Sequence, residues 1–188
     1  MFVRTERLFL RPAWPEDLDE IVEALLDGDI QRRPGVCLPD SVEGVRAYIE
    51  RPRDPRLPHF FMYLRAPGGP QLVGGIGLAR QDGEVEVFHW IVPSQRGRGF
   101  AGEGLRAVLA QARALGYLRV IASHVGDDAA THEVLESAGF RDTGQVRSRY
   151  SAGQAMEFAV RIYEADLERR KAPRAGIRRM AMDTQTAA

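Results

Sequence analysis

The sequence has little cysteine, no excess of charge of either sign and no long apolar run. A single cysteine among 188 residues excludes an internal disulfide framework and is compatible with a reducing cytosol. The 26 basic and 26 acidic side chains balance, so net charge gives no electrostatic case for binding nucleic acid or an anionic membrane. No apolar run approaches the roughly 18 residues of a membrane span, and the charged residues 1–7 do not resemble a signal peptide. These absences predict a soluble, cytoplasmic protein.

Metal ligands are also scarce. None of the four histidines has metal-ligand spacing with another histidine, a cysteine or a carboxylate, so we expect no metal site. We expect His89 and His124 to pack in the core or at its rim, and His59 and His132 to lie on the surface. Cys37 stands in a Pro/Gly-rich stretch with no base beside it, which favours an ordinary thiol over a nucleophile.

The length and the 44% hydrophobic content suit one globular domain with a full-sized core. We place this domain at residues 1–167. Residues 168–188 are expected to form a basic C-terminal tail, in which six arginine and lysine side chains precede an Ala/Thr/Gln end. This composition is compatible with a solvated, frayed end and with a docking arm for an acidic partner or a second subunit. A homodimer through the last strands or the tail is a related expectation.

Alternating and helical apolar patterns predict a mixed α/β chain. Helices are expected from Pro15 to Gly28, after a capping box at Asp40 and Glu43, after residue 101, and over residues 131–138. Strands are expected at residues 8–12, 60–65, 71–79, 84–92, 119–125, 144–149 and 156–163. The helix after residue 101 is expected to cross over from the strand at 84–92 to the strand at 119–125.

The most informative segment is residues 92–101, between the strand at 84–92 and the helix that follows. It is rich in glycine and carries two arginines. Glycines allow successive backbone N–H groups to point into one concavity, and the start of a helix adds partial positive charge. The segment therefore predicts a phosphate-binding cradle made from main chain.

Two ligand classes fit these letters, and a purely structural glycine turn is a third interpretation. Residues 97–102 match the G-x-G-x-x-G dinucleotide fingerprint. That fingerprint follows a buried parallel strand, whereas the strand before this loop alternates in polarity. A tight turn at residues 80–84 also joins it to the preceding strand as a hairpin. An antiparallel strand disfavours the dinucleotide interpretation.

Residues 95–101, Q-R-G-R-G-F-A, resemble the Q/R-x-x-G-x-G/A signature of the GNAT N-acetyltransferases, which bind the pyrophosphate of acetyl-coenzyme A (acetyl-CoA). Three further segments resemble the branch that contains the ribosomal-protein N-terminal acetyltransferases: T-E-R-L-F-L-R-P at 5–12, V-E-V-F-H-W at 85–90 and V-L-E-S-A-G-F at 134–140. The resemblance covers residues 5–167. It implies a GNAT fold, with a mixed, mostly antiparallel central sheet, flanking helices and a splayed strand pair that binds the cofactor.

The resemblance implies transfer of an acetyl group from acetyl-CoA to a primary amine by direct attack in a ternary complex. A protein N-terminal α-amine is the first expected acceptor, and a small-molecule amine (antibiotic, polyamine or amino acid) or a non-catalytic CoA-binding module are the alternatives. Glu86 is the implied base, acting through a water, although it could be an exposed strand carboxylate like Glu84 on the same face. Thr131 is the implied donor to the thiolate, or else a helix N-cap. The implied cofactor-binding residues are Ile91, Val92, Gln95, Arg96, Gly97, Arg98, Gly99, Phe100, Ala101 and Asp128.

Three positions depart from the family's pattern. Asp128 replaces an asparagine, which removes an amide donor and adds negative charge near the cofactor arm. Trp14 stands where the family often has a capping Ser or Thr. Phe88 replaces a strand glycine, which is expected to narrow the cleft or alter the strand's bulge. Acceptor specificity is expected to lie in the loops around residues 28–58 and 145–155.

Overall fold

The computed structural model describes residues 1–32, 38–126, 129–151 and 156–168. Within these ranges the strands are β1 (Val3–Arg4), β2 (Leu8–Arg11), β3 (His59–Ala66), β4 (Gly69–Gln81), β5 (Glu84–Ile91), β6 (Arg119–Val125), β7 (Arg141–Ser151) and β8 (Met156–Asp166). The helices are α1 (Leu18–Leu25), α2 (Gly28–Gln31), α3 (Val42–Glu50), α4 (Phe100–Ala114) and α5 (Ala129–Ala138). The strands form one sheet in the order β1-β2-β3-β4-β5-β6-β8-β7, antiparallel except between β5 and β6.

The β3–β4–β5 meander and the crossover after it position the glycine-rich loop. β4 and β5 pair in continuous register, and Asp82 and Gly83 turn the chain between them with φ values of 52° and 81°. Positive φ at both central residues is what a tight two-residue hairpin turn requires. β5 then leads through the loop into α4, which crosses over to the parallel strand β6. The predicted mixed, mostly antiparallel sheet with a crossover helix is confirmed.

Two predicted helix boundaries are wrong because neighbouring residues cap the helices. α3 begins after Ser41 and not after Asp40, since the extended backbone of Ser41 lets its hydroxyl accept a backbone N–H of the first turn at 3.2 Å. Gly28 does not close the first helix. Asp27 caps α2 by accepting a backbone N–H at 2.7 Å, so Gly28 is the first residue of α2. In the described part of the chain no helix has the length and apolar character of a membrane span.

Helices cover both faces of the sheet. α4 and α5 pack on one face, where Val87 of β5 shares the larger core with Val108 of α4. α1 and α3 pack on the other face, where Trp90 of β5 belongs to a second core. Because side chains alternate along a strand, Glu86 and Phe88 lie on the Trp90 face of β5. The loop after β5 thus leads to α4 on one face, while the candidate base lies on the opposite face.

A buried ion pair fixes the turn before α1. Arg11 donates to Asp17 through Nη1 at 2.5 Å and through Nη2 at 2.8 Å, and Arg11 is only 2% exposed. Its guanidinium carbon lies 3.7 Å from the ring centroid of Trp14 and 3.9 Å from that of Tyr63. The backbone N–H of Trp14 also donates to Asp17 at 2.6 Å, which is the contact made by the third helical residue of a capping box, while Trp14 makes no side-chain cap hydrogen bond in place of the Ser or Thr. Burial opposes ionisation, yet the hydrogen bonds and the Arg11 charge outweigh it and lower the pKa of Asp17.

Candidate active site

β5 and β6 part from each other inside the sheet. The strands are parallel neighbours, yet across residues 84–91 and 119–125 their ladder contains one pair, Glu86 with Ile121. β6 is paired along its whole length with β8 instead. The predicted splayed strand pair is therefore present, with Glu86 at its apex and the glycine-rich loop at its open end.

The loop presents a row of backbone N–H groups. Gly97 and Gly99 have φ values of 72° and 79°, a region that glycine enters without strain, and Gly99 is the N-cap of α4. The first N–H of α4 with an internal partner is that of Glu103, which donates to the Gly99 carbonyl at 3.2 Å. No described residue accepts from the N–H groups of residues 97–102. Successive backbone donors at a helix N-terminus suit a multiply charged anion such as a phosphate.

The first part of the loop uses its backbone N–H groups internally. The Gln95 N–H donates to the Val92 carbonyl at 2.8 Å and the Arg96 N–H to the Pro93 carbonyl at 3.3 Å, in a 3-10 turn. The Val92 N–H donates into β4 at 2.8 Å. Apart from the Ser94 N–H, for which no described residue is an acceptor, the backbone donors available to a ligand therefore begin at Gly97.

The two arginines of the loop have different surroundings. Arg96 is half-buried, and its Nε donates back to the Ile91 carbonyl at 3.3 Å. Arg98 is exposed and donates to the side-chain oxygen of Gln95 at 2.5 Å. Its guanidinium carbon also lies 5.0 Å from the ring centroid of Phe100, which is buried in the larger core. The start of α4 is thus anchored, while a positive charge stays at the loop surface.

Glu86 is buried at the apex of the splay, with 8% of its surface exposed. Its Oε1 accepts from the Ser123 N–H at 3.1 Å and from the Ser123 hydroxyl, and its Oε2 pairs with Arg149 Nη1 at 2.6 Å. The alternative of an exposed strand carboxylate is therefore wrong for Glu86. Glu84 on the same face pairs with Arg147 at 2.5 Å, and that hydrogen bond is the main cause of the lowered pKa of Glu84.

Thr131 lies in the first turn of α5 and not at its N-cap. α5 begins at Ala129, so Thr131 is the third helical residue and its interpretation as an N-cap is wrong. Its side chain is half-buried. Asp128 and Cys37 lie outside the described residues, as do residues 169–188 of the predicted tail.

Aromatic side chains line the sheet face that carries Glu86. The rings of Phe88 and His59 lie 5.3 Å apart between centroids, and Tyr48 Oη lies 2.5 Å from His59 Nε2. The prediction that His59 lies on the surface is wrong, because α3 and β5 cover it. Burial first, and then the positive charge of Arg53, lower the pKa of His59 to about 3, so the ring is neutral at physiological pH. β5 keeps its register with β4 through Phe88, so this residue adds no bulge there.

The remaining histidines behave largely as the sequence predicts. His89 and His124 are half-buried, and the side chain of His132 is 41% exposed beside Glu136. Among the described residues, no three His, Cys, Asp or Glu side chains come together as metal ligands would.

The chain matches a known protein family over most of its length. The model of this family, described as an acetyltransferase (GNAT) domain, matches residues 7–141. The chain belongs to the GNAT acetyltransferases. The matched region contains the splayed strands, the glycine-rich loop and α5. The predicted family and enzyme class are confirmed, and the dinucleotide-binding interpretation of the loop is wrong. No curated protein matches the chain.

Solved GNAT structures share the architecture of this acetyltransferase. A GNAT acetyltransferase from Bacillus anthracis is 22% identical, with 89% of this chain and 99% of the other covered at a TM-score of 0.73. A proposed ribosomal-protein-serine acetyltransferase from Vibrio cholerae is 15% identical, with 88% and 97% covered at 0.68. Spermidine N-acetyltransferase from Vibrio cholerae, solved with CoA and spermine, is 18% identical, with 87% and 97% covered at 0.69. These similarities establish the fold and leave the acceptor to the site itself.

Proposed function

We propose that this GNAT enzyme transfers the acetyl group of acetyl-CoA to a primary amine, with a protein N-terminal α-amine as the first acceptor. One observation carries the proposal: the splayed strands lead from the N–H donors of residues 97–102 to the buried carboxylate of Glu86. The pyrophosphate of CoA suits the donors, and its extended, amide-containing arm suits an open strand edge. The related spermidine acetyltransferase, solved with CoA, supports this choice of cofactor.

The proposed cofactor contacts follow the loop in order. Backbone donors from Gly97 onward, including those of Phe100 and Ala101, would bind the pyrophosphate, and the exposed Arg98 would add positive charge. Gln95 would hold the Arg98 side chain through the hydrogen bond described above. The other proposed contacts are Ile91 and Val92 along the open edge of β5, Arg96 in the loop, and Asp128 between β6 and α5.

The proposed reaction moves one acetyl group and one proton. The amine nitrogen attacks the thioester carbonyl carbon, so that a C–N bond forms, the C–S bond breaks and sulfur leaves with the electron pair. The amine must lose a proton and the thiolate must gain one. Glu86 is the proposed proton acceptor, through a water, because its carboxylate is buried where the strands part. The Thr131 hydroxyl, in the first turn of α5, is the proposed hydrogen-bond donor to the sulfur.

An α-amine places the smallest demand on this base. Its reference pKa is about 7.7–8.0, against about 10.4 for a lysine side chain, so a larger neutral fraction is present at pH 7. Both carboxylate oxygens of Glu86 already accept hydrogen bonds from Ser123 and Arg149. Arg149 therefore neutralises the charge that would attract a cation, while each carboxylate oxygen keeps a second lone pair with which it can accept from a water.

The charges on the Glu86 face argue against a polyamine acceptor. A polyamine carries several positive charges and needs carboxylates that are not already neutralised. Here Glu84 pairs with Arg147, and Glu86 pairs with Arg149, whose Nη2 also lies 3.7 Å from Asp82. These paired carboxylates offer a polycation no unneutralised negative charge, which favours a singly charged amine such as a peptide N-terminus.

The acceptor is tested by acetyl-CoA-dependent thiol release across a panel, with the product masses recorded. The panel contains N-terminal peptides, free amino acids, polyamines and aminoglycosides. We expect the mass gain of one acetyl group on the peptides and none on the polyamines. Acetylation confined to a small-molecule class would replace the peptide acceptor by that class. Tight acetyl-CoA binding with no product from any amine would favour the non-catalytic module.

The role of Glu86 is tested with Glu86→Gln. We expect kcat to fall by about 100-fold or more, the usual contribution of general base catalysis, and to recover partly as pH rises from 6 to 9 because the amine then loses its proton unaided. Glu84→Gln is the matched control, since Glu84 lies on the same face and is also paired with an arginine; it should keep kcat. Equal activity of Glu86→Gln and wild type across this pH range would remove Glu86 from the mechanism.

A further inference from the structure

Arg7 ties the N-terminal strands to the glycine-rich loop. Its Nε donates to Glu103 Oε2 at 2.7 Å, and its Nη1 donates to the Arg98 carbonyl at 2.9 Å. Its guanidinium carbon lies 4.6 Å from the ring centroid of Phe100. Its own backbone N–H also donates to Glu103 at 2.8 Å. One side chain near the N-terminus therefore contacts the loop and the first turn of α4 at three residues, more than 90 positions later in the chain.

One edge of the Arg7 guanidinium remains available beside the backbone donors. No described residue accepts from its Nη2. This atom lies 3.5 Å from the position that a Cβ on residue 99 would occupy, and that residue is glycine. The Arg7 side chain is 43% exposed. A ligand oxygen held beside Gly99, within the donor row, is therefore within reach of Nη2.

The buried carboxylate of Glu103 explains why a cation is needed at this point. Glu103 is 8% exposed and stands in the first turn of α4, where its negative charge would repel a phosphate. Burial opposes its ionisation, but hydrogen bonds from Thr5 and Arg7 outweigh burial and lower the pKa of Glu103. The carboxylate is therefore charged at neutral pH, and Arg7 offsets that charge at the edge of the donor row.

We propose that Arg7 is a phosphate-binding residue of the acetyl-CoA site, a role that rests on the proposed function. Its Nη2 would donate to a pyrophosphate oxygen while Nε and Nη1 hold the guanidinium in place. Arg96 turns back to the Ile91 carbonyl, and Arg98 is exposed. Arg7 is instead fixed by Glu103, Arg98 and the Phe100 ring before any ligand arrives, so less side-chain entropy is lost on binding.

The test compares two acyl donors, acetyl-CoA and S-acetylpantetheine, which lacks the pyrophosphate. For Arg7→Gln we expect KM for acetyl-CoA to rise about tenfold, the size of one lost charge-assisted hydrogen bond. We expect kcat/KM for S-acetylpantetheine to stay at the wild-type value. Arg65→Gln is the matched control, because Arg65 donates to the Thr5 and Glu6 carbonyls of the same N-terminal turn. Arg65→Gln should leave both KM for acetyl-CoA and kcat/KM for S-acetylpantetheine at their wild-type values.

Equal losses with both donors would overturn the proposal, since they would show that Arg7 supports the fold or the chemistry rather than the phosphate. An unchanged KM for acetyl-CoA, or Arg65→Gln behaving like Arg7→Gln, would also overturn it. If Arg7→Gln does not fold, the same comparison of acyl donors is made with Arg7→Lys. Lysine keeps the charge beside Glu103 but cannot bridge the Arg98 carbonyl and a phosphate, so the selective rise in KM should persist. A wild-type enzyme with no preference for acetyl-CoA over S-acetylpantetheine would overturn the cofactor site itself, without reference to any variant.

Discussion

Glu86 replaces a hydrogen bond that the sheet loses where β5 and β6 part. Glu86 and Ile121 form the one backbone pair between these strands, and beyond it the Glu86 carboxylate accepts the Ser123 N–H at 3.1 Å. Glutamine keeps an acceptor oxygen at this position, so the Glu86→Gln variant removes the charge while retaining this contact. Alternating polarity and family resemblance led to Glu86 from sequence. No local pattern points to Ser123 or Arg149, because their contacts with Glu86 span 37 and 63 residues.

The Arg11–Asp17 pair predicts a large loss of stability for one substitution. We expect Asp17→Asn to lower the free energy of unfolding by about 3–5 kcal/mol, because it leaves the buried Arg11 charge uncompensated. Urea denaturation at pH 7 measures the difference. The matched control is Asp29→Asn in the exposed Asp29–Arg32 pair, whose side chains are 58% and 75% exposed. This control should change stability by no more than about 0.5 kcal/mol.

The same substitution should change the response to acid. The pKa of Asp17 is lower in the folded protein than in the unfolded chain. Its contribution to stability is therefore complete above the unfolded value of about 3.9 and is lost as pH falls through the folded value. Wild-type stability should fall more steeply than that of Asp17→Asn below about pH 4. Parallel curves for the two proteins would contradict this account of the ion pair.

At the scale of elements, substitutions of the glycines at the two ends of α4 distinguish the effect of backbone strain from an effect on ligand binding. Gly99 and Gly116 have φ values of 79° and 88°. We expect alanine at either position to lower stability by about 1 kcal/mol, because both require the left-handed region. Only Gly99 lies in the row of backbone donors, so Gly99→Ala should also raise KM for acetyl-CoA while Gly116→Ala leaves it unchanged. Thermal melts and initial rates measure both effects, and a matching rise in KM for Gly116→Ala would refute the assignment.

Element boundaries show how far local sequence determines this fold. β6 has the predicted bounds, and β5 ends one residue earlier than predicted. Both segments are bounded by turn residues, and the alternating pattern of β5 and the apolar run of β6 are each typical of a strand. The residues that cap the helices are less predictable from sequence than the strands. Asp40 and Ser41 are both good N-cap residues, and only the extended backbone conformation of Ser41 distinguishes them. His59 was misplaced because its burial depends on α3, a helix that no pattern around residue 59 describes.

At the scale of the whole molecule, the folded domain should be complete at residue 168. Leu167 is 4% exposed, and its N–H donates to the Leu118 carbonyl at 2.8 Å. We expect a chain ending at Glu168 to keep the melting temperature of the full chain. Acetyl-CoA at a hundred times Kd should stabilise both by about 2.7 kcal/mol, or about 5–10 °C, whereas NAD should stabilise neither.

A chain ending at Asp166 is the matched comparison for this truncation. It lacks the buried Leu167 side chain and its hydrogen bond to Leu118, and it should melt at a lower temperature than the chain ending at Glu168. If instead removal of residues 169–188 alone abolished acetyl-CoA stabilisation, the tail would belong to the cofactor site or to an assembly that completes it.

The gap between β5 and β6 also bears on how the protein behaves in concentrated solution. Beyond one bridge, two neighbouring strands expose peptide groups toward each other in the middle of the sheet. Unpaired strand edges are templates for strands of other chains, and proteins usually protect their outer edges against such pairing. Here the exposed edges are internal, and an acyl donor bound between them, as proposed above, would shield them. We therefore expect protein depleted of acetyl-CoA to self-associate more readily in concentrated solution than protein saturated with it.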